Sequence, residues 1–306
     1  MSLSPSATAS NMNEQNITLI YVFNAISIFG SAFLLFILIS AWRSPSVRRS
    51  STWYCFITHW LIFDLAGLFL LGRQTGDEPS FGLCLVQASF HYAVPVLTGF
   101  GSVALVLQLY LAMCMTDLDN RPAAKSKGIY LLWTIPPSIA GLFCIEGIIY
   151  GLEKPGVVRR SSSGTACEFS DGVSTKISSS LVMLSMVSMT IIEICILSSF
   201  HRNCRALKQS KGNVERDFIK RYRSATTRTF FLFLAQVMSF SLGLMVWFTK
   251  TWTPLSNARS NIACAMMPLI VAIIFGTQKD LWKAWMIRKK NDVFDTTDKS
   301  GWYSFV

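Results

Sequence analysis

The side chains best suited to chemistry in this sequence are acidic residues that interrupt long apolar segments: Asp64, Glu146 and Glu193. An ionisable side chain is costly to bury among apolar residues, so it usually has a partner or a functional role. Asp64 is predicted near the middle of its segment, where it suits a sodium or proton site. The alternative is a buried carboxyl group that is hydrogen-bonded to a neighbouring helix. Glu193 is better explained as a structural residue paired with a basic side chain, and Glu146 is near enough to a segment end to reach water.

The three histidines, His59, His91 and His201, are the other candidates for catalysis or metal binding. The ligands of one zinc ion must converge to about 2.1 Å from it. His59 and His91 are predicted at different depths of their segments and His201 at a segment end, so we do not expect them to converge. The apolar segments contain neither a Gly-x-Ser-x-Gly nor a His-Glu-x-x-His motif. We therefore expect no enzymatic activity, no metal site and no cofactor.

Seven apolar segments must position these residues. The 306-residue sequence is 51% hydrophobic and 15% charged, with a mean hydropathy of +0.41, whereas soluble proteins contain about 25% charged residues. About 20 apolar residues suffice for a helix to cross the hydrocarbon core of a membrane. This pattern predicts an all-α membrane protein, built as a seven-transmembrane helix bundle. The segments are 17–42, 53–72, 81–116, 128–151, 177–200, 230–248 and 261–276, and the third is expected to be one long helix.

The distribution of lysine and arginine predicts the orientation of this bundle, because cytoplasmic segments of membrane proteins are enriched in these residues. If the N-terminus is outside, 21 of the 28 basic residues fall on the inner side. The net charge of +11 then describes a cytoplasmic face that meets anionic lipid or an acidic partner. We accordingly expect no nucleic-acid binding.

The parts outside the bundle are short. Residues 1–16 are predicted to form an extracellular tail, 17–276 the bundle and 291–306 a cytoplasmic tail. Between the last two, 277–290 places its leucine and tryptophan side chains on one helical face, which is typical of an amphipathic helix at the membrane interface. Thr277 is the expected N-cap of this short eighth helix.

Two of the eight cysteines are predicted on the outer side. Cys84 opens the third segment, and Cys167 lies in the long connection between the fourth and fifth segments. The outer compartment is oxidising, so a disulfide between them is favoured over two free thiols. It would hold that connection over the mouth of the bundle.

Seven segments, an outer N-terminus and this cysteine pair together resemble the G-protein-coupled receptor superfamily. Asp64, within Leu61-Ile62-Phe63-Asp64-Leu65-Ala66, is similar to the family's buried aspartate, which binds sodium in many members. Trp133 in the fourth segment and Pro268 in the seventh also match residues typical of the family. The end of the seventh segment, Ile274-Phe275-Gly276-Thr277, looks more like divergent fungal receptors related to the cAMP-receptor-like group.

The chain departs from the family at three motifs. Gln108-Leu109-Tyr110 stands where the third helix usually carries Asp-Arg-Tyr, so the arginine is missing. Gly30-Ser31 replaces Gly-Asn in the first helix. In the seventh, Met267-Pro268-Leu269-Ile270-Val271 replaces Asn-Pro-x-x-Tyr. That segment also has no lysine for a retinal Schiff base.

The resemblance implies a plasma-membrane receptor that binds an extracellular ligand and activates a heterotrimeric G-protein. A helical extension of the sixth segment would present a basic face to that partner, and the alternative is a basic stretch held to anionic lipid. The ligand-cavity candidates are Gln87, His91, Tyr92, Trp247, Phe248 and Met266, and the G-protein-facing candidates are Arg216, Lys220, Arg221 and Arg223.

A second class of protein fits the same segments. In a seven-helix transporter or channel, Asp64, Glu193 and His91 would mark a path for a solute or for protons, because ionisable residues inside membranes often serve that purpose. Such a protein would move its solute across a vesicle membrane in the absence of any G-protein.

Overall fold

The computed structural model consists mainly of long helices that pack side by side. It describes residues 5–44, 49–114, 122–207, 226–227, 229–234, 237–238, 241, 254–278 and 281. Within this part of the chain, six helices are long and apolar enough to cross a membrane. The chain therefore has the helices of a membrane protein. The remaining predicted segment, 230–248, lies largely outside the described residues.

The six long helices are α1 (Pro5–Arg43), α2 (Ser51–Gly67), α3 (Phe81–Cys114), α4 (Pro122–Glu153), α5 (Val173–Leu207) and α6 (Pro254–Gly276). Each covers all or most of one apolar segment, and α6 contains the seventh of them. α2 ends at Gly67, short of the predicted end at residue 72, and a 3-10 turn, Leu68–Leu70, follows it. α3 is a single helix, as its length predicted. Several helices extend past their apolar segments, because helical hydrogen bonding continues into the polar flanks. α1, for example, begins within the predicted N-terminal tail.

The start of α2 is fixed by Ser50. Its hydroxyl oxygen accepts a hydrogen bond from the backbone N–H of Trp53 at 3.3 Å, which makes Ser50 an N-cap. The same hydroxyl donates to Gln108 Oε1 at 3.2 Å, near the far end of α3. Gln108 thereby links α3 to the capped end of α2.

α3 is the central helix of the described bundle. It packs against α2, α4 and α5, while α1 packs against α2 and α6. The inner faces form an apolar core that includes the aromatic side chains of Trp53, Phe56 and Phe275. The outer faces expose large apolar side chains such as Phe29, Leu142 and Ile194. Helices that are apolar on both their inner and their outer faces are suited to a lipid environment.

A β-hairpin covers the end of the bundle at which α3 begins. Its strands, β1 (Val158–Arg160) and β2 (Cys167–Phe169), are antiparallel and place Arg160 opposite Cys167. We call residues 161–166, which join the strands, the hairpin loop, and we call this end of the bundle the disulfide end. The hairpin belongs to the long connection between α4 and α5.

Candidate functional site

The hairpin is attached to α3 by three neighbouring contacts. The expected disulfide is present and joins Cys84 to Cys167, with their Cα atoms 5.3 Å apart. The backbone N–H of Cys167 also donates to Gln87 Oε1 at 2.8 Å. One turn further along α3, the ring of Tyr92 stacks on that of Phe169, with 5.6 Å between centroids. β2 is thus held against the first three turns of α3.

Arg160 attaches the hairpin to a second part of the bundle, the connection between α2 and α3. Its guanidinium group donates to the carbonyl oxygens of Arg73, Gly76 and Asp77 at 3.3, 2.7 and 3.0 Å. The planar guanidinium carries five N–H donors, so one side chain can hold several carbonyls of a turn. The hairpin is consequently fixed on two sides.

Apart from the exposed Ser162, the hairpin loop is buried in the mouth of the bundle, although it consists mainly of serine, glycine and threonine. Asn261 Nδ2 of α6 donates to Thr165 Oγ1 at 2.6 Å, and the hydroxyls of Thr165 and Ser163 are 2.9 Å apart. Gly164 has a φ of 74°, and a Cβ there would lie 2.6 Å from the carbonyl oxygen of Gln74. Glycine is therefore required at the point of closest approach.

A cavity of about 120 Å³ lies beneath the hairpin loop, between α1, α2, α3 and α6. Ala166 of the loop forms part of its wall. The other described lining residues are mostly apolar or aromatic, and they include the thiol of Cys264. Four polar side chains also line it: Ser27, Asp64, His91 and Asn261. This combination of an apolar wall with a few polar groups is typical of small-molecule sites.

Asp64 is the acidic residue among the described lining residues of this cavity. It is only 2% exposed, and neither of its carboxyl oxygens has a hydrogen-bond partner of normal geometry among the described residues. Ser27 and Ser31 of α1 are its polar neighbours. The backbone of Gly30 is so close that a Cβ at this position would collide with Asp64 Oδ2. The carboxyl group thus lies between α1 and the cavity.

The predicted cavity residues do not all line this cavity. His91 does, whereas Gln87 and Tyr92 point to the hairpin and hold it in place. Met266 is 39% exposed and is not among the described lining residues. Trp247 and Phe248 lie outside the described residues. The cavity therefore lies nearer to α1 and α2 than the sequence led us to expect.

Glu193 and His59 lie away from the cavity. Glu193 is buried on α5, and its described polar neighbour is the hydroxyl of Thr229. His59 packs against α3 at Gly101, where an added Cβ would lie 2.5 Å from the imidazole Nδ1. In the described part of the chain, no group of three His, Cys, Asp or Glu residues could hold a metal ion.

The predicted cytoplasmic features fall mostly on residues that the structure does not describe. These include the G-protein-facing candidates Arg216, Lys220, Arg221 and Arg223, and most of the interfacial helix 277–290. Thr277, the expected N-cap, is described. Its hydroxyl donates to the carbonyl oxygens of Ile273 and Ile274, in the last turn of α6.

Ser27, Asn261, Cys264 and the hairpin loop were not predicted from the sequence as parts of the site. A Ser-Ser-Ser-Gly-Thr run is typical of an exposed turn, so its composition pointed away from burial. The only signal was its position, two residues before a cysteine expected to be tied to α3. Asn261 had a weaker signal as a polar residue at the edge of an apolar segment.

Comparison with models of known protein families finds no match, and neither does comparison with curated proteins. The fold and the cavity are therefore the basis for any functional assignment.

Proposed function

We propose that this protein is a seven-helix receptor of the plasma membrane, with its N-terminus and disulfide end outside the cell. A ligand binds in the cavity beneath the hairpin loop and shifts the bundle between two states, one of which engages a heterotrimeric G-protein on the cytoplasmic side. The observation that carries this proposal is a partly polar cavity at the disulfide end, which a disulfide-linked hairpin covers.

The distribution of charge supports this orientation. Arg216, Lys220, Arg221 and Arg223 belong to the most basic connection of the chain, which is expected on the cytoplasmic side. A G-protein would dock there, on the side of the membrane opposite the hairpin. The coupling would have to operate without the family's arginine, because Leu109 stands in its place. The neighbouring Gln108 binds Ser50 instead.

Nucleotide exchange on purified Gα subunits tests the proposal. Vesicles that contain the protein should accelerate exchange for at least one Gα class. Charge reversal at Arg221 and Arg223 should reduce this acceleration, whereas reversal of Arg159, which is exposed on the hairpin, should not. If no Gα subunit responds, or if the Arg159 variant is impaired equally, the receptor proposal fails.

A transporter or channel is the second candidate function, and one observation favours it. Asp64 and His91, two of the three residues expected along a proton or solute path, line the same cavity. Glu193, the third, is not among the described lining residues. Proton or solute flux in vesicles without G-protein, abolished by Asp64→Asn, would favour this function over the receptor.

A further inference from the structure

We propose that the cavity beneath the hairpin loop binds a small primary ammonium ion, with the Asp64 carboxylate as its counter-ion. The inference rests on the proposed receptor function, because it names the ligand class of that receptor's cavity. Its first support is the position of Asp64. The side chain is buried, and neither carboxyl oxygen has a hydrogen-bond partner of normal geometry among the described residues, although the Ser27 and Ser31 hydroxyls lie nearby. An unpaired carboxylate in apolar surroundings is costly, and a cation in the cavity would remove that cost.

The lining favours an organic cation over a bare metal ion. Calcium takes six to eight oxygen ligands, yet only Ser27, Asp64 and Asn261 among the described lining side chains carry oxygen. An ammonium group needs only three acceptors for its three N–H bonds. Apart from His91, the remaining described wall is mainly apolar and includes the rings of Phe23 and Phe63. These rings suit an alkyl group or the charge of a cation.

The volume of the cavity limits the size of the ligand that it can hold. A cavity of 150 Å³ in a protein core holds one benzene molecule, so a volume of about 120 Å³ suits about five non-hydrogen atoms. Isobutylamine has that size and is cationic at neutral pH. Isobutanol has the same shape and no charge. Adamantylamine has the charge but is too large.

Thermal unfolding of the full chain in detergent provides the test, because a ligand that binds the folded state raises Tm. Isobutylamine should raise Tm, whereas isobutanol and adamantylamine should raise it much less. Asp64→Asn should weaken the apparent affinity for isobutylamine by about 10- to 100-fold, the range for a hydrogen bond to a charged group. Glu193→Gln, which alters a buried acid outside the cavity, should leave the affinity unchanged.

The wild-type chain also reports where the amine binds. Cys264 lines the cavity, so isobutylamine should slow its modification by methyl methanethiosulfonate, while modification of Cys144 on α4 should be unaffected. Equal Tm shifts with isobutylamine and isobutanol would overturn the proposal. An equal shift and equal protection with sodium chloride alone would overturn it too, in favour of an inorganic cation.

These outcomes are separate from those of the receptor test. Amine binding that depends on Asp64, combined with no nucleotide exchange on any Gα subunit, would keep the ammonium site and reject the receptor. Exchange without amine binding would keep the receptor and reject the ammonium site.

Discussion

Gly30 of α1 packs directly against the carboxyl group of Asp64. The Asp64 carboxyl occupies the space that a side chain would take at Gly30, so α1 can approach α2 only because residue 30 has no Cβ. The adjacent residues Gly30 and Ser31 therefore each have a role beside Asp64. Gly30 leaves room for the carboxyl group, and Ser31 provides a polar neighbour.

We expect Gly30→Ala to lower the free energy of unfolding by about 1–3 kcal/mol, because the new methyl group overlaps a packed side chain. Gly141→Ala is the matched control, since Gly141 also lies within a helix but has no atom within 4 Å of an added Cβ. Thermal unfolding in detergent measures both. The double variant Gly30→Ala/Asp64→Ala should recover part of the loss, and a purely additive result would contradict the contact.

At the scale of elements, the hairpin covers the cavity, and Ala166 of its loop forms part of the wall. Its loop is polar and buried, so its hydroxyl groups need partners inside the bundle, and Asn261 supplies one at Thr165. The two attachments of the hairpin, the disulfide and Arg160, hold different strands. Each should contribute separately to the position of the loop.

Arg160→Ala should loosen the hairpin and the α2–α3 connection together, since three carbonyl oxygens lose one shared donor. Arg159→Ala is the control, because Arg159 is the adjacent residue in β1 and its side chain is exposed. Amide hydrogen exchange in residues 73–77 and 158–169 should rise in the first variant alone. The expected cost is about 1 kcal/mol, since the bonds are partly exposed to solvent. Equal exchange in both variants would show that the Arg160 side chain does not hold the hairpin.

Removal of the disulfide tests the other attachment. Cys84→Ser and Cys167→Ser should each lower the free energy of unfolding by about 2–4 kcal/mol, because the bond closes a loop with a sequence separation of 83. The double variant should be no worse than either single one. Surface expression and Tm are the measurements, and additive losses would contradict a shared bond.

At the scale of the whole molecule, the bundle has a disulfide end and an opposite end, and the charge distribution predicts that they lie on different sides of a membrane. The described helices expose large apolar side chains along their outer faces, as lipid contact requires. α5 joins the hairpin at one end to the most basic connection of the chain at the other. Its two ends should therefore face different compartments.

Labelling of introduced cysteines with a membrane-impermeant thiol reagent checks this orientation. Ser162→Cys, exposed on the hairpin loop, should be labelled on intact cells. His201→Cys, exposed near the other end of α5, should be labelled only after the membrane is permeabilised. The unsubstituted chain gives the background from native cysteines. Labelling of His201→Cys on intact cells would reverse the predicted topology.

The sequence by itself determined the six long apolar helices of the described residues and the partner of Cys84. Apolar segments of the length of a bilayer and the rarity of charge within them are local properties, so they can be recognised without knowledge of packing. The same holds for the long α3 and for Asp64 as a buried charge.

Only the tertiary structure decided which side chains share the cavity. His91 and Asp64 lie 27 positions apart in the sequence, and Asn261 and Cys264 lie far from both. They meet because α1, α2, α3 and α6 converge beneath the hairpin loop. The burial of that loop was equally beyond the sequence, since serine and threonine become favourable inside a bundle only when particular partners, such as Asn261, are in reach. Which face of a helix points into the bundle, and which distant segments touch, depend on how the helices pack. A local pattern of residues does not contain this information.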